Sequence, residues 1–151
     1  MQNPEPPTSR IATFLLVDDD EFSVEALREM LQDDGPVHIE TATNGQLALQ
    51  ALASMKEVPD MLICDLFMPE MDGIDIMAQL ARQHYPGAIV LVSGRNIEYL
   101  AIARLIAIRN GLNVIGVLAK PLNRDLLLEA FACGRSMVSD GQEAPGCQDE
   151  A

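Results

Sequence analysis

The stretch Met61-Leu62-Ile63-Cys64-Asp65-Leu66-Phe67-Met68-Pro69-Glu70-Met71-Asp72-Gly73 carries an apolar run that stops at an acid and gives way to a proline-containing loop. Pro59 opens the run, and its length suits a strand buried on both faces rather than an amphipathic helix. Asp65 therefore stands as the last residue of a strand, where a carboxylate faces out of the sheet end. Cys64 before it reads as a small core residue.

Outward from this stretch, short apolar runs alternate with longer amphipathic segments. On the N-terminal side, Ile11 to Val17 predicts a strand. A helix follows from Glu21 to Gln32, with Phe22, Leu27, Met30 and Leu31 as its core stripe. Asp33-Asp34-Gly35-Pro36 stops that helix. A weaker strand, Val37 to Ala42, precedes a helix from Gly45 to Met55, capped by Asn44, with Leu47, Ala48, Ala51 and Leu52 on one face. On the C-terminal side a helix ends near His84, Pro86-Gly87 turns the chain, and Ala88 to Ser93 is the fourth strand. Asn96 to Asn110 predicts a fourth helix, Val114 to Ala119 a fifth strand, and Asn123 caps a fifth helix reaching about Met137. The expected domain thus spans 11–137, flanked by disordered segments 1–10 and 138–151.

Five nearly continuous apolar strands alternating with five helices predict an α/β fold with a doubly wound, five-stranded parallel sheet. Such sheets bind ligands beyond the carboxyl ends of their strands, at the point where strand order switches. The first strand ends in Asp18-Asp19-Asp20, the third in Asp65, the fourth in Ser93-Gly94 and the fifth in Lys120-Pro121. Two like charges ~4 Å apart at an effective dielectric near 20 repel by roughly 4 kcal/mol, so these acids call for a cation among them. Hard oxygen donors favour Mg²⁺, with Mn²⁺ as the alternative. Lys120 adds a point charge for an anion, and Ser93 offers a hydroxyl donor. An Asp beside a divalent metal, a Lys and a hydroxyl can act as a carboxylate nucleophile toward phosphorus. Each piece also has a plainer reading. Three Asp after a strand suit a solvated turn and helix N-terminus, Asp65 suits a cap, and Ser93-Gly94 suits a turn. Placement at four strand ends is what distinguishes the functional reading.

The motifs Leu16-Val17-Asp18-Asp19, Asp65 with Met68-Pro69-Glu70-Met71-Asp72-Gly73, Ser93-Gly94 and Lys120-Pro121 resemble the receiver domain of two-component response regulators, across roughly Ala12 to Met137. The resemblance implies a flavodoxin-like (βα)5 receiver fold. It implies Asp65 as the phosphoacceptor, Asp18, Asp19, Asp65 and the Phe67 backbone carbonyl as metal ligands, Ser93 as the switch hydroxyl and Lys120 as the phosphate-pairing lysine. It also implies a cis peptide at Lys120-Pro121. A sensor histidine kinase or phosphotransfer protein would be the donor, and any output activity would lie outside this chain. Two features depart from the family pattern. Val117 stands where an aromatic residue is usual, three positions before the lysine. The fourth helix, Leu100-Ala101-Ile102-Ala103-Arg104-Leu105-Ile106-Ala107-Ile108, is apolar nearly all round and predicts a covered outer face, against a second copy or an output domain. The stretch from Ser93 to Leu122 is similar to receivers that precede EAL-type cyclic-di-GMP phosphodiesterase domains.

Phe67, bulky and apolar beside the acceptor, is expected to crowd an attacking water and slow loss of the phosphoryl group, whereas Gly94 leaves space. His38 and His84 have no partner pattern for chemistry, and His84 reads as a helix C-terminal charge or cap. Met68 and Met71 read as loop packing. A net charge of −13 argues against direct nucleic-acid binding. The three cysteines follow no disulfide framework. No apolar run is long enough for a membrane span, and Met1 to Arg10 lacks a signal-peptide core, so a cytoplasmic location is expected. Two other functions fit part of the pattern. One is a Mg²⁺-dependent aspartyl phosphatase with its nucleophile on the first strand, although Glu21-Phe22 departs from that class. The other is a degenerate receiver acting only as an interaction module.

Overall fold

The computed structural model of the protein describes residues 11–33, 35–68, 73–94, 97–130 and 132. The elements are β1 (Ala12–Val17), α1 (Glu21–Gln32), β2 (Val37–Ala42), α2 (Gly45–Ser54), β3 (Met61–Asp65), α3 (Gly73–Arg82), β4 (Ala88–Ser93), α4 (Ile97–Arg109) and β5 (Asn113–Ala119). Residues 124–130 and 132 form the described part of a fifth helix, α5. Its start is capped by Asn123, whose Oδ1 accepts from the Leu126 N–H at 3.2 Å. The expected terminal segments 1–10 and 138–151, the loop centre 69–72, and the last turns of the fifth helix up to Met137 lie outside the described residues.

All five strands run parallel in one sheet of order β2-β1-β3-β4-β5. β3 and β4 are buried along their whole length, as a sheet covered on both faces requires. Alternate residues serve opposite faces. Leu15, Val17, Leu62, Cys64, Ile89 and Leu91 meet α2, α3 and α4, while Phe14, Leu16, Met61, Ile63 and Val90 meet α1 and α5. Each fully buried Leu or Ile contributes about 1.5–3 kcal/mol through apolar area removed from water. The chain leaves β1 for β2 on one side and returns to β3 on the other. The switch of strand order therefore falls between β1 and β3, and the carboxyl ends there belong to Val17 and Asp65.

Two helices differ from their expected stripes. Leu27 and Leu31 are buried on α1, but Phe22 is 85% exposed. Five residues separate Phe22 from Leu27, a rotation of about 140° at 3.6 residues per turn, which carries the ring to the outer side. Leu47 of α2 is likewise exposed, at the edge of a stripe centred on the buried Ala48. α4 buries Leu100, Ala103 and Ala107 and leaves Ile102, Leu105, Ile106 and Ile108 exposed.

Both α3 and α4 end in a left-handed residue that lets the chain turn back into a strand. His84 has φ 56°, and the Tyr85 N–H reaches the Leu80 carbonyl at 3.0 Å. Gly111 has φ 91°, and the Leu112 N–H reaches the Ala107 carbonyl at 3.0 Å. His84 thus caps α3 through its backbone conformation.

Candidate functional site

The three acids after β1 separate into two roles. Asp20 is the N-cap of α1: its Oδ1 accepts from the Phe22 N–H at 3.2 Å and its Oδ2 from the Ser23 hydroxyl at 3.0 Å. Asp18 and Asp19 turn toward the sheet end. Asp18 is 3% exposed, its Oδ1 held by the Asp20 N–H at 2.9 Å. The plain cap reading of the acidic run is therefore right for one residue of three.

Asp65 closes β3 beside them, 5% exposed. Carboxylate oxygens of Asp18, Asp19 and Asp65 all lie within 4.8 Å of one another. Lys120, just past β5, reaches across to this group. Its Nζ donates to Asp18 Oδ2 at 2.9 Å and to Asp65 Oδ2 at 3.2 Å. The Phe67 N–H donates to the other Asp65 oxygen, Oδ1, at 3.2 Å. Ser93 is buried at the end of β4, and its carbonyl accepts from the Lys120 N–H at 2.9 Å. A Cβ on Gly94 would lie 3.4 Å from the Lys120 Cβ, an ordinary van der Waals contact with the lysine stem. The Lys120-Pro121 peptide is cis. The side chains of Asp18, Asp19, Asp65 and Lys120 thus converge from three strand ends, and Ser93 joins them from a fourth through its backbone bond to Lys120.

Burial pushes the Asp65 carboxyl above the ordinary carboxylate value, and the Asp18 charge pushes it the same way. The Phe67 N–H and Lys120 act in opposition but do not overcome this. For Lys120, burial disfavours the charge, but the hydrogen bond to Asp18 and the charges of Asp65 and Asp18 outweigh it and raise its pKa. Burial is the first cause of the Asp65 shift; the Asp18 charge acting on Asp65 and the two carboxylates acting on Lys120 show acids crowded around one lysine. A divalent cation suits that crowding. The donors are all oxygens, and their mutual distances allow a small cation between them, so the group fits Mg²⁺ or Mn²⁺.

Two contributors escaped the sequence reading. Gly73 opens α3 with its N–H on the Leu66 carbonyl at 2.9 Å. A Cβ there would lie 2.7 Å from the Leu66 Cα and 3.1 Å from the Asp65 carbonyl oxygen, so only glycine lets α3 start this close to the acceptor strand. The sequence placed Gly73 at the end of the proline-containing loop but did not show this contact. Tyr99, in the first turn of α4, stacks on Phe67 with ring centroids 4.9 Å apart and an interplanar angle of 30°. Nothing in linear spacing announces that pair.

The family described as Response regulator receiver domain matches residues 14–132. A protein-glutamate methylesterase/protein-glutamine glutaminase of Halobacterium salinarum is 38% identical over 107 residues, covering 71% of this chain and 29% of that protein. An uncharacterized 14.6 kDa protein of Leptolyngbya boryana is 32% identical over 116 residues, 72% of this chain and 79% of its own length. Among solved structures, the signal receiver domain of an HD domain-containing protein from Pseudomonas fluorescens Pf-5 superposes with a TM-score of 0.72 at 27% identity. It covers 87% of this chain and 99% of that one.

Proposed function

The chain belongs to the response regulator receiver domain family, and from that premise we propose that it takes a phosphoryl group onto Asp65 from a sensor histidine kinase or phosphotransfer protein. The observation carrying this reading is the convergence of Lys120 on Asp18 and Asp65 at the β1/β3 switch point. A receiver is a phosphoacceptor fold and not an enzyme in itself.

In the proposed reaction an Asp65 carboxylate oxygen attacks the donor phosphorus, the phosphorus–nitrogen bond of a phosphohistidine breaks, and the imidazole keeps the bond's electron pair and takes up a proton. The product is an acyl phosphate. Asp18, Asp19, Asp65 and the Phe67 carbonyl would hold Mg²⁺, which supplies charge neutralisation for the transferring phosphoryl oxygens. Lys120 pairs with one of those oxygens and Ser93 donates its hydroxyl to another. Their strand-end positions are set by the sheet, so little reorganisation accompanies the transfer.

The acquired charge then biases contacts with an output domain or partner. Ile102, Leu105, Ile106 and Ile108 on the outer face of α4 supply the apolar surface for such a contact. A second copy and an EAL-type phosphodiesterase domain are the two occupants favoured here, the latter on the similarity of residues 93–122 alone. Leu105→Glu is expected to weaken association at least about tenfold in sedimentation, as a charge forced into an apolar contact does; unchanged association would remove α4 from the interface. Cytoplasmic location and no direct contact with nucleic acid or membrane belong to the same reading. Among the described residues no helix is long and apolar enough to cross a membrane.

The test is incubation with acetyl phosphate in Mg²⁺, with a chelator control. One acid-stable, base-labile phosphoryl group per chain is expected with Mg²⁺ and none with chelator. Continuous turnover of a phosphomonoester through Asp18 would instead indicate the aspartyl phosphatase, and no adduct from any donor a degenerate interaction module.

A further inference from the structure

Val117, on the strand that carries Lys120, has no ring to offer the site. Phe67, Tyr99 and Val117 nonetheless pack against the same core face of the sheet. The aromatic group that reaches the acceptor loop therefore comes from α4. Phe67 joins three things in one residue. Its N–H holds Asp65 Oδ1 at 3.2 Å, its carbonyl is the proposed metal ligand, and its ring lies on Tyr99 at 4.9 Å. A change at Asp65 that moves the residue 67 backbone must move that ring, and the ring is in contact with the first turn of α4.

We propose that Tyr99 is a positioning residue: its ring fixes Phe67 beside Asp65 and transmits the state of Asp65 to α4. The proposal rests on Asp65 being the phosphoacceptor. It places the coupling between the acceptor and the exposed face of α4 in a ring pair formed by the loop after β3 and the first turn of α4. Water access to the acyl phosphate is governed by the same pair, because the Phe67 ring, two residues from Asp65, has the Tyr99 ring as its stacking partner.

The sequence provides a clean probe. The chain has no tryptophan and two tyrosines. Tyr85 is buried, and its hydroxyl has no hydrogen-bond partner among the described residues, so Tyr85→Phe removes one emitter without breaking a bond described there. In that variant, Tyr99 emission is expected to change with the same time course as adduct formation from acetyl phosphate and Mg²⁺. The adduct lifetime is expected to shift about threefold or more in Tyr99→Ala and to return to within about twofold of wild type in Tyr99→Phe, since stacking needs the ring and not the hydroxyl. Tyr99→Leu, which keeps apolar volume without a ring, substitutes for Tyr99→Ala if the latter does not fold. Constant Tyr99 emission while the adduct forms overturns the proposal, as does a ring-less variant with the wild-type lifetime. Absence of any adduct in the wild type overturns the acceptor role of Asp65 itself, and this proposal with it.

Discussion

Asp65→Asn is expected to take no phosphoryl group from acetyl phosphate and, in the absence of metal, to melt above the wild type. The two effects have one cause. Asp65 is buried beside Asp18, and burial first and that charge second raise its pKa above 3.8. The metal-free native state therefore holds an ion it disfavours. Asn keeps the side-chain shape and an oxygen for the Phe67 N–H, removes the repulsion, and leaves the Lys120–Asp18 pair in place. The pH dependence has a definite sign. The folded pKa lies above the unfolded one, so between those values the native state binds more protons than the unfolded chain, and wild-type stability falls as pH rises through that window. The stability advantage of Asp65→Asn should accordingly open across that window and hold above it. The amide cannot form an acyl phosphate, so the adduct should drop by at least about a thousandfold, the scale on which removing a nucleophile acts. A metal-free Asp65→Asn protein that melts below the wild type would contradict the electrostatic account.

Lys120→Ala is the second large change, and it works the opposite way on stability. Its Nζ is the cation within hydrogen-bond distance of both Asp18 and Asp65, which are 3% and 5% exposed. Truncating one partner of a buried charge group leaves the others uncompensated, at a cost of about 3–5 kcal/mol. Urea unfolding at neutral pH without metal should show that loss. Mg²⁺ should recover part of it, because a divalent ion can supply the missing charge to the same oxygens. Phosphorylation should remain slow even with saturating Mg²⁺, because Lys120 also pairs with the transferring group. Full stability without Mg²⁺ would mean that the carboxylates are not mutually repulsive as described.

The parallel sheet was legible because its central strands are uninterrupted apolar runs, and the ends of those runs carried the acids and the lysine. The rule that ligands sit beyond the carboxyl ends of the strands, with the resemblance, pointed to Asp18, Asp65 and Lys120, which the structure brings into contact. Helix faces were less legible. Phe22 looked like a core anchor by hydrophobicity, yet its angular position on α1 exposes it, and Leu47 sits at the margin of the α2 stripe. Position after the strand alone does not separate Asp20 from Asp18 and Asp19; the family resemblance singled out the first two for the metal, and the turn geometry makes Asp20 a cap. The Gly73 contact depends on how closely α3 starts against the end of β3, and the Phe67–Tyr99 pair on approach between elements distant in sequence; neither is encoded in a local pattern. The apolar breadth of α4 was visible in the sequence, and the structure shows which of its residues, Ile102, Leu105, Ile106 and Ile108, remain at the surface.

The central claim is that Asp65 is the phosphoryl acceptor. Its most direct measurement is to phosphorylate the protein with acetyl phosphate and Mg²⁺, reduce the adduct with borohydride so that the acyl phosphate becomes an alcohol, and locate the altered residue by peptide mass spectrometry. A single altered residue, Asp65, is expected, and none when Mg²⁺ is chelated. Alteration at Asp18 or Asp19, or an unaltered Asp65 in protein that has gained a phosphoryl group, would contradict it.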